Sequence, residues 1–214
     1  MSSLYLNKKS LILRRTGFTL IELMMSIGIM LVITSIVLFN QSSYSESISI
    51  ANLANDISLS IRQAQIYGVS VKELQTGSGD FTSAYGVDFN ISETGSNSSY
   101  LFFADRGVSK NGYYDGTWDC PVGGSSECLE KINTSYGNTI NQLCLLYSNG
   151  TKDCTVKRVD ITFLRPSTSA TMVFFNAGGG IINAFGVLGA EIDLLSVAAT
   201  HSVTVYTTGQ ISVK

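Results

Sequence analysis

Glu22 is a carboxylate where carboxylates are expensive. From Phe18 to Phe39 the chain is apolar apart from small polar residues, and Glu22 is its single charge. At about 1.5 Å rise per residue, a helix of this length spans the hydrocarbon core of a bilayer. A charged side chain inside such a helix costs roughly 2.5–3.5 kcal/mol on insertion scales, so an acid there points to a function, with a cation as its expected partner. The other residues able to do chemistry lie further along. Cys120, Cys128, Cys144 and Cys154 include no C-x-x-C pair, and one histidine, His201, makes a poor zinc set, so disulfides are expected. Asp105, Asn111 and Asp115 place side-chain oxygens around Gly112 and have some look of a calcium loop. The EF-hand spacing is absent, however, and Arg106 and Lys110 stand among the oxygens, so a polar surface loop with no metal is the reading preferred. His201 beside Ser202 reads as a surface or packing residue, because no serine-centred nucleophile motif accompanies it. Gly178-Gly-Gly180 lacks the spacing and the lysine of a phosphate loop and reads as a turn.

The elements that must position these residues follow from periodicity. Ile50, Leu53, Ile57, Ile61 and Ala64 recur at intervals of three and four, with Asn52, Asp56, Ser60 and Arg62 on other faces. The helix is therefore expected to continue beyond the apolar run, from Phe18 to Tyr67, about 75 Å in all. Gly68 is expected just after its C-terminus. The serine-rich stretch from Ser42 to Ser49 and Gly28 are the places where it would loosen, since no proline precedes Pro121. After Gly68 the period becomes two. Tyr85 to Ile91, Val159 to Phe163 and Val203 to Val205 alternate as half-buried strands. Further strands are expected at Tyr100 to Ala104, Gln142 to Tyr147, Met172 to Asn176, Glu191 to Val197 and Gln210 to Lys214. An antiparallel sheet is the partner that the apolar face of residues 50–64 requires. The expected fold class is thus α+β, a long N-terminal helix with a membrane-embedded first half, packed on a C-terminal antiparallel β-sheet head. The expected divisions are 1–17, 18–39, 40–68 and a single β-rich head over 69–214.

Turn chemistry narrows the cysteine pairing. If Ser148-Asn149-Gly150 is a three-residue hairpin loop with Gly150 left-handed, Tyr147 faces Thr151 and Cys144 faces Cys154. A two-residue Asn-Gly loop would set Cys144 opposite Thr155 instead. The first arrangement is preferred, leaving Cys120 to close a loop with Cys128.

Charge fixes topology and excludes partners. Lys8, Lys9, Arg14 and Arg15 precede the apolar run and no acidic residue does, which holds that end in the cytoplasm and the head outside. Ten basic and sixteen acidic side chains remain from Phe18 onward, a formal −6. That balance argues against a phosphate-binding surface, and no nucleic acid is expected as a partner.

Gly-Phe-Thr-Leu-Ile-Glu, at residues 17–22, resembles the type IV prepilin and pseudopilin family. The resemblance implies a leader ending at Gly17, removed by a membrane aspartyl peptidase that also methylates the new N-terminus at Phe18. It implies a structural filament subunit of a type IV pilus or type II secretion system, with no catalytic residue and no cofactor. Implied partners are other pilin or pseudopilin subunits, the prepilin peptidase, the inner-membrane assembly platform and membrane lipid. The amine created at Phe18 lies about one helical turn from Glu22, and the same amine on a neighbouring subunit could neutralise that carboxylate in a filament. Residues 62–71, 159–166 and 201–213 also resemble H-type minor pseudopilins and FimT-like minor pilins. Two rivals are weighed. A DNA-uptake minor pilin would want a basic C-terminal patch, but Lys214 is the only Lys or Arg after Arg165. A membrane-anchored extracytoplasmic enzyme would share only the leader.

Overall fold

The computed structural model describes residues 17–70, 79, 81–92, 96–106, 110–121, 126–135, 137–197 and 199–214. The expected leader, Gly17 apart, lies outside the described residues, together with its four basic side chains.

One α-helix, α1, takes up Leu20–Val69. It contains no proline, and Ser26, Thr34 and Ser35 of its first half do not compete with the ladder. Ser26 Oγ donates to Glu22 O at 2.8 Å, Thr34 Oγ1 to Met30 O at 2.7 Å and Ser35 Oγ to Leu31 O at 2.8 Å, which satisfies each hydroxyl within the helix. Residues 40–49, including the serine run, remain helical. The helix begins two residues later than expected and ends differently. Gly68 lies inside the last turn, and its backbone is not left-handed. A Cβ there would sit 2.3 Å from Phe163 O, so close packing of helix against strand, not a glycine cap, is what requires glycine.

The chain divides into two compact units, Met1–Ser42 and Ser43–Lys214. In the first, the apolar side chains of α1 are exposed on every side, from Leu20 at 77% to Phe39 at 87%. By length and composition this helix can cross a membrane, its most apolar 18-residue window having a mean hydropathy of 2.3.

Among the described residues the second unit holds ten strands: β1 Ala84–Asn90, β2 Ser99–Asp105, β3 Cys128–Asn133, β4 Thr139–Tyr147, β5 Lys152–Asp153, β6 Arg158–Phe163, β7 Ala170–Phe175, β8 Val187–Leu195, β9 Thr200–Tyr206 and β10 Ile211–Val213. They form two five-stranded sheets, ordered β3-β2-β1-β6-β7 and β10-β9-β8-β4-β5, where a single sheet was expected. All their pairings are antiparallel. One core joins the helix to both sheets. Ile50, Ile57 and Ile61 pack with Val87, Phe89, Tyr100 and Phe163 of the first and with Leu143, Leu145, Ile192 and Val203 of the second. The α+β class stands.

Two strands escaped the alternation rule. β5 has two residues, too few to show a period, and β3 is mostly exposed and polar, as an edge strand is. The expectation of half-buried strands fails for residues 159–163 of β6, for residues 203–205 of β9 and for β1, which like its neighbour β2 is buried on both faces. The inner face of β1 and β2 meets the core. Over the outer face Tyr114 and Cys120 pack on Leu101 and Phe103, so residues 110–121, between β2 and β3, act as a cover.

Candidate functional site

The processing and assembly residues lie together at the start of α1. Gly17, Phe18 and Thr19 precede the helix, and Phe18 is 82% exposed. Thr19 is the N-cap: its Oγ1 accepts the Glu22 N–H at 3.3 Å, and its carbonyl accepts the Leu23 N–H at 3.1 Å. Glu22 stands at the third helical position with its side chain exposed. An acid in the first turn is also favourable to the helix dipole. The signal for Thr19 was legible as Thr-x-x-Glu before an apolar run, the capping-box pattern, and was overlooked.

The cysteines pair as expected, Cys120 with Cys128 and Cys144 with Cys154. Gly150 is left-handed at φ +84°, and the Tyr147 N–H donates to Thr151 O at 2.9 Å. Leu145 then faces Asp153 and Leu146 faces Lys152, the register that sets Cys144 across from Cys154.

Asp105 ends β2, Asn111 and Asp115 fall in the cover, and together they fasten it. Asp105 Oδ2 accepts the Gly112 N–H at 2.7 Å, Asn111 Oδ1 accepts the Tyr113 N–H at 3.1 Å, and Asn111 Nδ2 donates to Asp115 Oδ2 at 2.7 Å. Asp105 Oδ1 is buried and takes no hydrogen bond, but Asn111 Oδ1 and Asp115 Oδ2 are already engaged, by the Tyr113 N–H and by Asn111 Nδ2. Among the described residues no group of three His, Cys, Asp or Glu side chains is placed to hold a metal. Gly178–Gly180 is a turn. Asn176 Oδ1 accepts the N–H groups of Gly178 at 2.9 Å and Gly180 at 3.0 Å, and Gly179 has φ +76°. His201 is half-buried, with Nδ1 2.9 Å from Lys214 O.

Sequence reasoning missed the charged cluster beneath the cover. Asp88 of β1 and Asp160 of β6 are paired across the sheet, each 1% exposed or less. Arg158 Nη2 donates to Asp160 Oδ2 at 2.6 Å and to Tyr114 O at 2.5 Å, and its Nε lies 3.2 Å from Asp88 Oδ1. The Tyr114 N–H donates to Asp160 Oδ2 at 3.0 Å. The guanidinium also stacks over the Phe175 ring, 4.5 Å from its centroid. Burial holds the Asp88 carboxyl well above the usual carboxylate range and Asp160 adds to the shift, while Arg158 opposes it. Burial raises Asp160 as well, against the pull of Arg158. One guanidinium between two buried carboxylates leaves room for a retained proton on Asp88. An aspartate at an outward-facing position of two neighbouring strands was the available signal.

Gln65 fastens α1 to the far end of the sheets. Its Nε2 donates to Thr168 O at 2.9 Å and to Gly209 O at 3.2 Å, and Arg62 Nη1 donates to its Oε1 at 2.5 Å.

Residues 12–38 match the family model of the prokaryotic N-terminal methylation motif. That stretch contains Gly17, Phe18, Thr19 and Glu22, and it supports a type IV prepilin-like class. A prepilin-type motif suggests a structural subunit more than an enzyme, and it implies processing by a prepilin peptidase and assembly with other pilins. The apolar first half of α1 fits the membrane anchor of such a protein. No curated protein and no solved structure matches the chain.

Proposed function

We propose that the chain is a minor subunit of a type IV pilus or a type II secretion pseudopilus, of the H-type or FimT-like kind, inserted through α1 with its head outside the cytoplasm. Processing removes residues 1–17 and methylates Phe18, and Glu22 then sets the axial register by pairing with the amine of a neighbouring subunit. The observation that carries this reading is the matched motif lying where the apolar helix begins, with an exposed carboxylate one turn inside it. The fully exposed apolar surface of residues 20–39 supports it, because a surface of that kind needs lipid or other helices around it.

Glu22→Leu tests the assembly role. It should leave membrane insertion and cleavage intact and remove the subunit from sheared filaments, measured by mass spectrometry of membranes and filaments side by side. Undiminished incorporation into filaments would refute the role given to Glu22. The same spectra report cleavage after Gly17 and the methyl group on Phe18.

A further inference from the structure

We propose that Thr19 decides where the chain is cut, by capping α1 so that the Gly17–Phe18 bond stays outside the helix. The inference rests on the processing reading above. From Leu20 onward the sequence is a run of residues that favour or tolerate helix, and nothing in Phe18 or the apolar side chains would stop the ladder from growing backward by a turn. What stops it is local. Thr19 puts its hydroxyl oxygen on the Glu22 N–H at 3.3 Å and gives its carbonyl to Leu23 at 3.1 Å, which are the two bonds that define an N-cap. A residue in that role has extended, non-helical backbone, and the residues before it leave the helix axis.

The consequence for cleavage is geometric. A peptide bond inside a helix has its carbonyl committed to the ladder and its backbone wrapped by side chains, whereas recognition of a bare backbone requires an extended strand whose N–H and C=O groups are free to pair. Phe18, at 82% exposure, and Gly17 both lie outside the helix and are exposed, so their backbone is not committed to its ladder. Gly17 supports the same boundary from the other side. A Cβ built on it finds no atom within 4 Å, so the fold gives no steric reason for glycine, while glycine is a poor helix residue. The scissile bond thus sits between a helix breaker and a helix cap.

The test is cleavage of the full-length chain, in membranes, by a prepilin peptidase, with the cut site read by mass spectrometry and kcat/KM compared across variants of Thr19. Ser and Asn keep a capping oxygen; Val keeps the branched shape without one; Ala removes both and favours helix. Thr19→Ser and Thr19→Asn should stay within about two-fold of the wild type, and Thr19→Val and Thr19→Ala should fall roughly five-fold, the effect of losing one N-cap. Amide exchange at Glu22 should quicken in the Val variant and not in the Asn variant. Equal cleavage of the Val variant and the wild type, or an Asn variant as slow as Val, overturns the role of the cap. A wild-type chain left uncut at Gly17 overturns the processing reading itself.

Discussion

Asp88 shows how a residue invisible to motif reasoning sets a property of the whole head. It shares a buried site with Asp160 and a single guanidinium, and burial holds its carboxyl well above the usual range. Between the unfolded carboxylate value of ~3.9 and that raised value, the folded chain keeps a proton that the unfolded chain has lost. The unfolded state therefore binds fewer protons, and stability should fall as pH rises through this window. Asp105, Glu127, Asp160 and Asp193 are all shifted upward by burial and act in the same direction. Asp88→Asn, which replaces a carboxyl that burial favours in its neutral form, should flatten the decline of melting temperature as pH rises above about 4 without abolishing it. An unchanged slope would show that the proton resides elsewhere. Arg158→Leu is the opposite experiment. It leaves two buried acids without their cation and strips Tyr114 O of its donor, so a loss of about 3 kcal/mol in denaturant unfolding is expected at neutral pH.

At the scale of elements, the two positions that fix the helix against the sheets are glycine and glutamine. Gly68→Ala gains helix propensity but drives a methyl to 2.3 Å from Phe163 O, and Gly209, at φ +85°, would place a Cβ 2.1 Å from Thr168 O. Both alanine variants should lose at least ~2 kcal/mol, measured by chemical unfolding, because backbone stands in the way in each case and cannot swing aside. Gly68→Asn would separate packing from capping, since Asn tolerates a left-handed cap and fails a close approach, so a loss as large as that of the alanine variant is expected. These elements also mark how far sequence reasoning reached. Long periodic segments such as residues 50–64 and β6 were legible because one face of each is apolar and meets the core. The hairpin at Gly150 was legible because turn geometry dictates register, and with it the disulfide. β5 was too short to have a period. The double burial of β1 and β2 was hidden because the second burying layer is an irregular segment, whose packing depends on Tyr114 and Cys120 meeting Phe103 and Leu101 far away in sequence. At the site, Glu22 was legible as a charge in an apolar run and Gly17 and Phe18 only through the resemblance of residues 17–22 to prepilins, whereas Thr19 needed attention to hydrogen bonding.

For the whole molecule, two short-range crosslinks secure the outer parts of a head whose core is already continuous. Replacing both Cys120 and Cys128 by Ser frees the cover from β3 without touching the helix. The closed loop is short, with a sequence separation of 8, so about 2–3 kcal/mol should be lost, a fall of roughly 5–12 °C in melting temperature. Limited proteolysis should then cut between Asn111 and Pro121 before any other part of the head. Equal resistance in the variant would mean that Arg158 and Tyr114 hold the cover unaided. Gln65 has a consequence of another kind. If the chain is the filament subunit proposed above it bears tension, and a pull on α1 along its own axis would slide residues 50–64 lengthwise past both sheets. Every apolar contact of that segment and both Gln65 bonds, to Thr168 O and Gly209 O, would then be loaded together in shear, not peeled one after another. In a filament subunit of the kind proposed, these contacts are what would hold the head on its helix under traction.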